Sequence, residues 1–424
     1  MIDILVFAWL MLAAQAPPEP APPAAPPEPQ PPAASGDQAT AGNRFNPSIS
    51  LIPDVVYYND NREGAADGFV AGADGFASAE AEGGHDHGSG LERGFNLREV
   101  EVAFSAAVDP YFDAWAILAI GGGEIEAEEA YVQTRRLLPG LQVRAGKFYS
   151  GIGYLNSKHP HEWDFVDRPL PYTLLLGGAL NETGVRATWL PALPVYALFG
   201  AEVLQGENAR FSQHLGDEEA EGLADRPGPR LFTAFAKLSP PLGHSHTLQV
   251  GASAVRSRLH QEFAGDEPAL EPLEGASTLL GVDVVYHYDS PRQWGAGDLR
   301  VQGEYFWRLQ DLAVASAPGG SASRRRSQDA VYVQAVYGIA QRWRAGLRFD
   351  AAGMRNLVRT PGGELDLAPS RRYTADLTYL PTEFSRLRLQ YTRGDAAVHG
   401  VREKSHQAWV QLQVSLGTHG AHRF

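Results

Sequence analysis

The 424-residue sequence contains no cysteine. That absence excludes disulfide frameworks, Cys-based zinc sites and thiol nucleophiles together, and it suits a chain that crosses an oxidising compartment. Positive charge is in deficit: 36 Lys and Arg stand against 50 Asp and Glu, a formal net charge of -14. A general nucleic-acid binder needs the opposite balance, so no nucleic-acid partner is expected. Catalytic signatures are missing too. Gly-x-Ser-x-Gly, His-Glu-x-x-His and phosphate-loop patterns do not occur, and the expected function is not enzymatic.

Long apolar runs are also lacking. The most continuous, residues 4–14 (Ile-Leu-Val-Phe-Ala-Trp-Leu-Met-Leu-Ala-Ala), is too short for the ~20 residues of a spanning helix but has the length of a signal-peptide core. Ala14-Gln15-Ala16 has the small-x-small form of a cleavage site, so residues 1–16 read as a signal peptide. Asp3 without a preceding Lys or Arg, and Pro17 after the cut, depart from the usual pattern. Residues 17–44 then begin with a run of Pro, Ala, Glu and Gln and read as an extended periplasmic tether.

What the chain does have is alternation. In 406–416 Ala408, Val410, Leu412, Val414 and Leu416 share one face of a strand, and Gln407, Gln411, Gln413 and Ser415 share the other. The same rhythm places strands near 48–58, 95–107, 111–120, 124–134, 140–148, 181–190, 195–205, 230–239, 246–257, 277–288, 298–309, 328–337, 342–351, 371–380, 385–393 and 405–417. Short connections such as Asp109-Pro110 and Pro381-Thr382 alternate with long ones such as 59–94 and 149–180; only the link at Gly121-Gly123 breaks the asymmetry. No recurring motif marks a propeller or a β-helix. The expectation for residues 45–424 is therefore an all-β fold: a transmembrane antiparallel up-and-down barrel of about 16 strands, with short periplasmic turns and long extracellular loops.

Charges at every second strand position cannot face hydrocarbon, since Arg at the bilayer midplane of a barrel costs about 2–4 kcal/mol. They are expected to line a lumen. The early strands supply Glu99, Glu101, Glu124, Glu126 and Glu128; the late strands supply Arg300, Arg308, Arg342, Arg344, Arg348, Arg372, Arg386 and Arg388. Strands in ring order would put acidic and basic walls on different arcs, a transverse field that tunes selectivity. The alternative is that these groups pair and plug the barrel. Aromatic residues near strand ends, among them Tyr57, Trp189, Tyr286, Trp307, Trp343, Tyr379 and Tyr391, match the two interfacial girdles of such a barrel.

The 149–180 connection is rich in aromatic and apolar residues, unlike a solvated tip, and is expected to fold into the barrel and narrow it. Two pairs of imidazoles near carboxylates, His85 with His87 and His159 with His161, suit a weak zinc or other divalent metal site; otherwise no cofactor is expected.

With the export signal, Gly146-Lys147-Phe148 opening the long loop and the terminal Phe424, the chain resembles Gram-negative outer-membrane porins, in particular the phosphate-selective porin O/P-like group and its proteobacterial relatives. The resemblance implies a passive channel for small hydrophilic solutes or ions, usually a homotrimer. It also implies a place in the outer membrane beside lipid and lipopolysaccharide, reached through the periplasm, with Phe424 as the signal to the barrel-assembly machinery. Two other membrane classes stand beside it. A TonB-dependent metal receptor needs ~22 strands and a plug domain that this chain has no room for. A non-conducting adhesin or scaffold barrel would have its lumen filled by paired charges and by 149–180.

Overall fold

In a computed structural model, the described residues are 47–62, 72–76, 91–135, 137–216, 223–264, 271–314, 323–398 and 400–417. The signal segment, the tether, His85, His87 and Phe424 lie outside the described residues. The strands are β1 (Ser48–Asp60), β2 (Gly94–Ala107), β3 (Phe112–Gly121), β4 (Glu124–Thr134), β5 (Leu141–Tyr149), β6 (Asn181–Trp189), β7 (Tyr196–Leu204), β8 (Leu231–Ser239) and β9 (His246–Ala264). There follow β10 (Glu271–Tyr288), β11 (Leu299–Val314), β12 (Ser323–Ala340), β13 (Trp343–Thr360), β14 (Gly363–Asp366), β15 (Ser370–Thr382), β16 (Ser385–Val398), β17 (Val401–Val414) and β18 (Leu416–Gly417).

Each long strand pairs antiparallel with its neighbour in sequence, and β17 returns to β1 from Asp54↔Gln413 to Asp60↔Gln407. The sheet is closed, so no edge is left to pair elsewhere. Short β14 only lengthens the hairpin of β13, which pairs on with β15, and β18 continues β17 past Ser415. Sixteen staves remain, the number that the alternation predicts.

Polarity is inverted relative to a soluble protein. In β13 Arg348 is 3% exposed while its neighbour Leu347 is 67% exposed. In β17 Gln407, Trp409, Gln411 and Gln413 are buried inward and Leu412 faces out. Outward rings pair across strands, Tyr57 with Phe95, Trp343 with Tyr379 and Phe349 with Tyr373. A wall that is apolar outside and polar inside is what lipid around a polar lumen requires.

The structure departs from the alternation in length. β9 to β13 run several residues beyond the expected ends, β9 to Ala264 and β13 to Thr360. Outward positions there turn polar (Arg256, Asp311, Arg325, Arg359), so the hydropathy contrast fades. The hydrogen-bond ladder does not need that contrast and continues. The short link at Gly122-Gly123 is a two-residue hairpin turn with φ of 59° and 86°, which glycine adopts without strain.

Candidate functional site: the loop inside the barrel

The chain between β5 and β6 enters the lumen. Pro169 and Pro171 preset the first turn of a short helix, α1 (Leu170–Leu176), and Gly177 ends it in the left-handed region with φ 61°. Leu174, Leu175 and Leu176 are fully buried, in one cluster with Phe148, Ile152, Leu155, Phe306 and Tyr332. Segments 72–76 and 207–216 add Phe76 and Phe211 to that cluster.

Wall carboxylates hold the loop by its backbone. The N–H of Gly151 donates to Glu202 Oε1 of β7 at 2.9 Å. Those of Tyr154 and Leu155 donate to Glu304 of β11 at 2.8 and 3.0 Å. That of Leu170 donates to Asp350 Oδ1 of β13 at 2.9 Å. Glu304 also accepts from the hydroxyls of Tyr172 and Tyr332, at 2.8 and 2.6 Å. Charge-assisted bonds of this kind hold a segment more firmly than neutral ones, and they come from three well-separated strands.

On one side the loop meets the acidic wall. His159 lies buried with Nδ1 3.2 Å from Glu128 Oε2 and 3.4 Å from Glu101 Oε2, and with Nε2 3.1 Å from Glu129 Oε2. His161 Nδ1 is 2.9 Å from Glu101 Oε2, and Tyr149 donates its hydroxyl to Glu128 Oε1 at 2.8 Å. A β-bulge creates this convergence. Ile117 faces Glu129 and Leu118 faces Ala127, which leaves Glu128 as the extra residue, so two successive glutamates point inward. Strict alternation would turn Glu129 outward, so a period of two does not reveal it. The doublet Glu128-Glu129 on a strand was the available signal, because a charge on the lipid face is costly. Burial by itself would lower the proton affinity of His159, but its hydrogen bonds to Glu128 and Glu129 outweigh this and raise it well above the usual imidazole value.

On the other side the loop meets the basic wall. Asp164 Oδ1 lies 3.1 Å from Arg300 Nη1, and its other oxygen accepts from Gln334 at 3.0 Å. Asp167 Oδ2 lies 2.8 Å from both Arg348 and Arg372, and Oδ1 accepts from Gln390 at 2.6 Å. Arg386 and Arg388 donate to the Trp163 carbonyl at 3.0 and 2.8 Å. Burial pushes both loop carboxyls up, but Arg300 beside Asp164, and Arg348 with Arg372 beside Asp167, more than offset it and hold them below the ordinary 3.8.

The thirteen charged candidates are therefore not one constellation. Glu101 and Glu128 face the loop histidines, and Glu99 stands beside them on β2. Glu126 pairs with Lys147 at 3.0 Å, and Glu124 is exposed at the hairpin turn. Arg308 sits apart, bonded to the Arg210 carbonyl and Gln328 and lying over the Phe76 ring. Arg344 is half-buried next to the turn at Gly295. Arg342 is not on a strand. It occupies the β12–β13 turn with φ 65° and stacks on Trp294, because the turn consumes the position that alternation assigns to the wall. Asp164 and Asp167 were not candidates, since a loop carries no face pattern to sort them.

No family model matches the chain. An uncharacterized protein of Aquifex aeolicus (strain VF5) is 36% identical over 387 residues, covering 90% of this chain and 80% of that protein. Among solved structures, the outer membrane channel DcaP of Acinetobacter baumannii is 14% identical, TM-score 0.52, over 88% of this chain and 96% of its own. OprB of Pseudomonas putida in its high-pH structure is 10% identical, TM-score 0.51, over 88% and 94%. An anion-selective porin from Comamonas acidovorans is 9% identical, TM-score 0.50, over 88% and 99%. The sequence likeness identifies a relative, and the structural likeness shows the fold: a porin-type outer-membrane barrel.

Proposed function

We propose, from the premise that the chain belongs to the same family as the uncharacterized Aquifex aeolicus protein and folds as a porin-type barrel, that it is an outer-membrane porin. In this reading small hydrophilic solutes or ions diffuse past the inward loop through a transversely polarised constriction. One observation carries the reading. The loop presents His159 and His161 to glutamates of β2 and β4, and Asp164 and Asp167 to arginines of β11, β13 and β15. A field across a constriction orients dipolar solutes and discriminates between ions. Export by residues 1–16, a place in the outer membrane of a Gram-negative cell among lipid and lipopolysaccharide, assembly through Phe424 and association as a trimer belong to the same proposal. So do a passive rather than catalytic role and kinship with the phosphate-selective O/P-like group.

The test is conductance of the purified protein in a planar bilayer. Discrete single-channel steps are expected, and their absence would defeat the reading. Arg344, which is half-buried, is the better handle on the field than the fully buried Arg388. Arg344→Glu is expected to move the reversal potential toward cation preference by roughly ten millivolts or more in a tenfold salt gradient, against a ~59 mV ceiling for a monovalent ion. Glu126→Lys is expected to move it the other way. A second reading, a closed adhesin or scaffold barrel, draws support from the many lumen charges already paired, such as Arg348 with Asp350 at 3.0 Å. A silent bilayer would favour it.

A further inference from the structure

We infer that the acidic wall and the loop together form a site for a divalent transition-metal ion of the zinc class, with His159 Nδ1, Glu101 Oε2 and Glu128 Oε2 as its protein ligands. The inference does not depend on conduction and holds for an open or a closed barrel.

The donor spacing matches a tetrahedral zinc ion. A tetrahedral zinc with bonds of about 2.0–2.1 Å sets its donors roughly 3.3–3.4 Å apart. His159 Nδ1 lies 3.2 Å from Glu128 Oε2 and 3.4 Å from Glu101 Oε2, and one donor atom from each of the three residues lies within 4.8 Å of the others. The donors come from three elements far apart in sequence, β2, β4 and the loop. The set forms only when the loop is seated.

The groups around the donors orient them as a metal site requires. A metal-bound imidazole usually gives its other N–H to a carboxylate, which fixes the ring, and metal-bound carboxylates are themselves hydrogen-bonded. Here Glu129 Oε2 is 3.1 Å from His159 Nε2, and the Tyr149 hydroxyl donates to Glu128 Oε1 at 2.8 Å. His161 reaches Glu101 at 2.9 Å and stacks on His159 with 5.8 Å between ring centres. The bulge at Glu128 places a ligand and an orienting group on successive residues. Three carboxylates around one imidazole favour a dication, and mixed N and O donors suit zinc better than magnesium or calcium. The fourth position is left to water, to a passing solute or to His161.

The full-length protein, stripped with chelator and dialysed at pH 7.5, would be titrated calorimetrically with zinc chloride. One saturable zinc per chain is expected, with magnesium failing to compete at a hundredfold excess. His159→Gln, Glu101→Gln and Glu128→Gln are each expected to weaken binding more than tenfold. Glu129→Gln, which removes no ligand, is expected to weaken it about 10- to 100-fold. Heat-modifiable gel mobility identifies any variant that has not formed the barrel. The cobalt(II) spectrum of the wild-type protein then serves as an independent measurement, with intense four-coordinate visible bands expected. A six-coordinate aqua-like cobalt spectrum would overturn the inference. So would the absence of saturable zinc binding, or zinc affinity retained by folded His159→Gln and lost in a His85→Ala, His87→Ala double variant.

Discussion

Replacing residues 153–176 with a short Gly-Ser linker is expected to raise single-channel conductance several-fold. The replaced stretch contributes Leu155, Trp163, Phe165, Val166, Leu174, Leu175 and Leu176, all 8% exposed or less inside the barrel. Closure of the wall rests on the strand ladders, and water that enters the vacated space solvates Arg348 and Arg372 in place of Asp167. The strand ladders close round the ring through their bulges, and β5 pairs with β6 from Leu141↔Trp189 to Tyr149↔Asn181 without the loop's help. Ser150 and Gly151 remain on Glu202, so the entry of the linker is still held. The volume vacated by side chains becomes water, and current follows the open cross-section. Conductance equal to that of the wild-type protein would show that the loop does not limit flow.

Asp167→Asn is expected to cost about 3–5 kcal/mol of barrel stability, the usual penalty for removing one partner of a buried ion pair. Asp167 is the shared counter-charge of Arg348 and Arg372, whose side chains are 1% and 5% exposed. Asp350 also serves both, but it holds the N–H of Leu170 as well, and one carboxylate between two buried guanidinium groups leaves excess positive charge in a dry setting. A lower thermal midpoint of the heat-modifiable band measures the loss. The same carboxyl gives a pH dependence of known sign. Its folded-state value lies below the ordinary 3.8, so its contribution is complete above that value and is lost as pH falls through the lower one. Wild-type conductance is expected to hold steady from neutral pH to about pH 4 and to become larger and noisier below about pH 3.8 as the loop loosens. Asp167→Asn is expected to show the loosened behaviour already at neutral pH, and steady gating in that variant would contradict the anchoring role.

The strands were legible because lipid outside and polar groups inside impose a period of two on every stave. Leu347 beside Arg348 and Leu412 beside Gln411 could each be assigned a face from the sequence. The limits of that legibility are physical as well. Where β9 runs on beyond Ser257, a bulge sets Arg258 and Leu259 against the single Ala276 of β10, so the period breaks although the ladder goes on. Where a bulge adds a residue, the assignment flips, and Glu129 turns inward with Glu128. Where a turn intervenes, the assignment lapses, and Arg342 stacks on Trp294 instead of standing in the wall.

The sequence by itself determined a closed barrel of sixteen alternating staves, with its early glutamates and late arginines, because each of these is a local property of period, turn chemistry and charge. It also marked 149–180 as too apolar for a solvated tip. Only the tertiary structure decided what those charges meet. Asp164 and Asp167 find Arg300, Arg348 and Arg372 from 136 to 205 residues away, and His159 finds Glu101, Glu128 and Glu129. Nothing local specifies these encounters. They follow from closure of the ring, which brings distant staves within a side chain's reach of one inward loop, and from the cost of leaving buried charge unpaired.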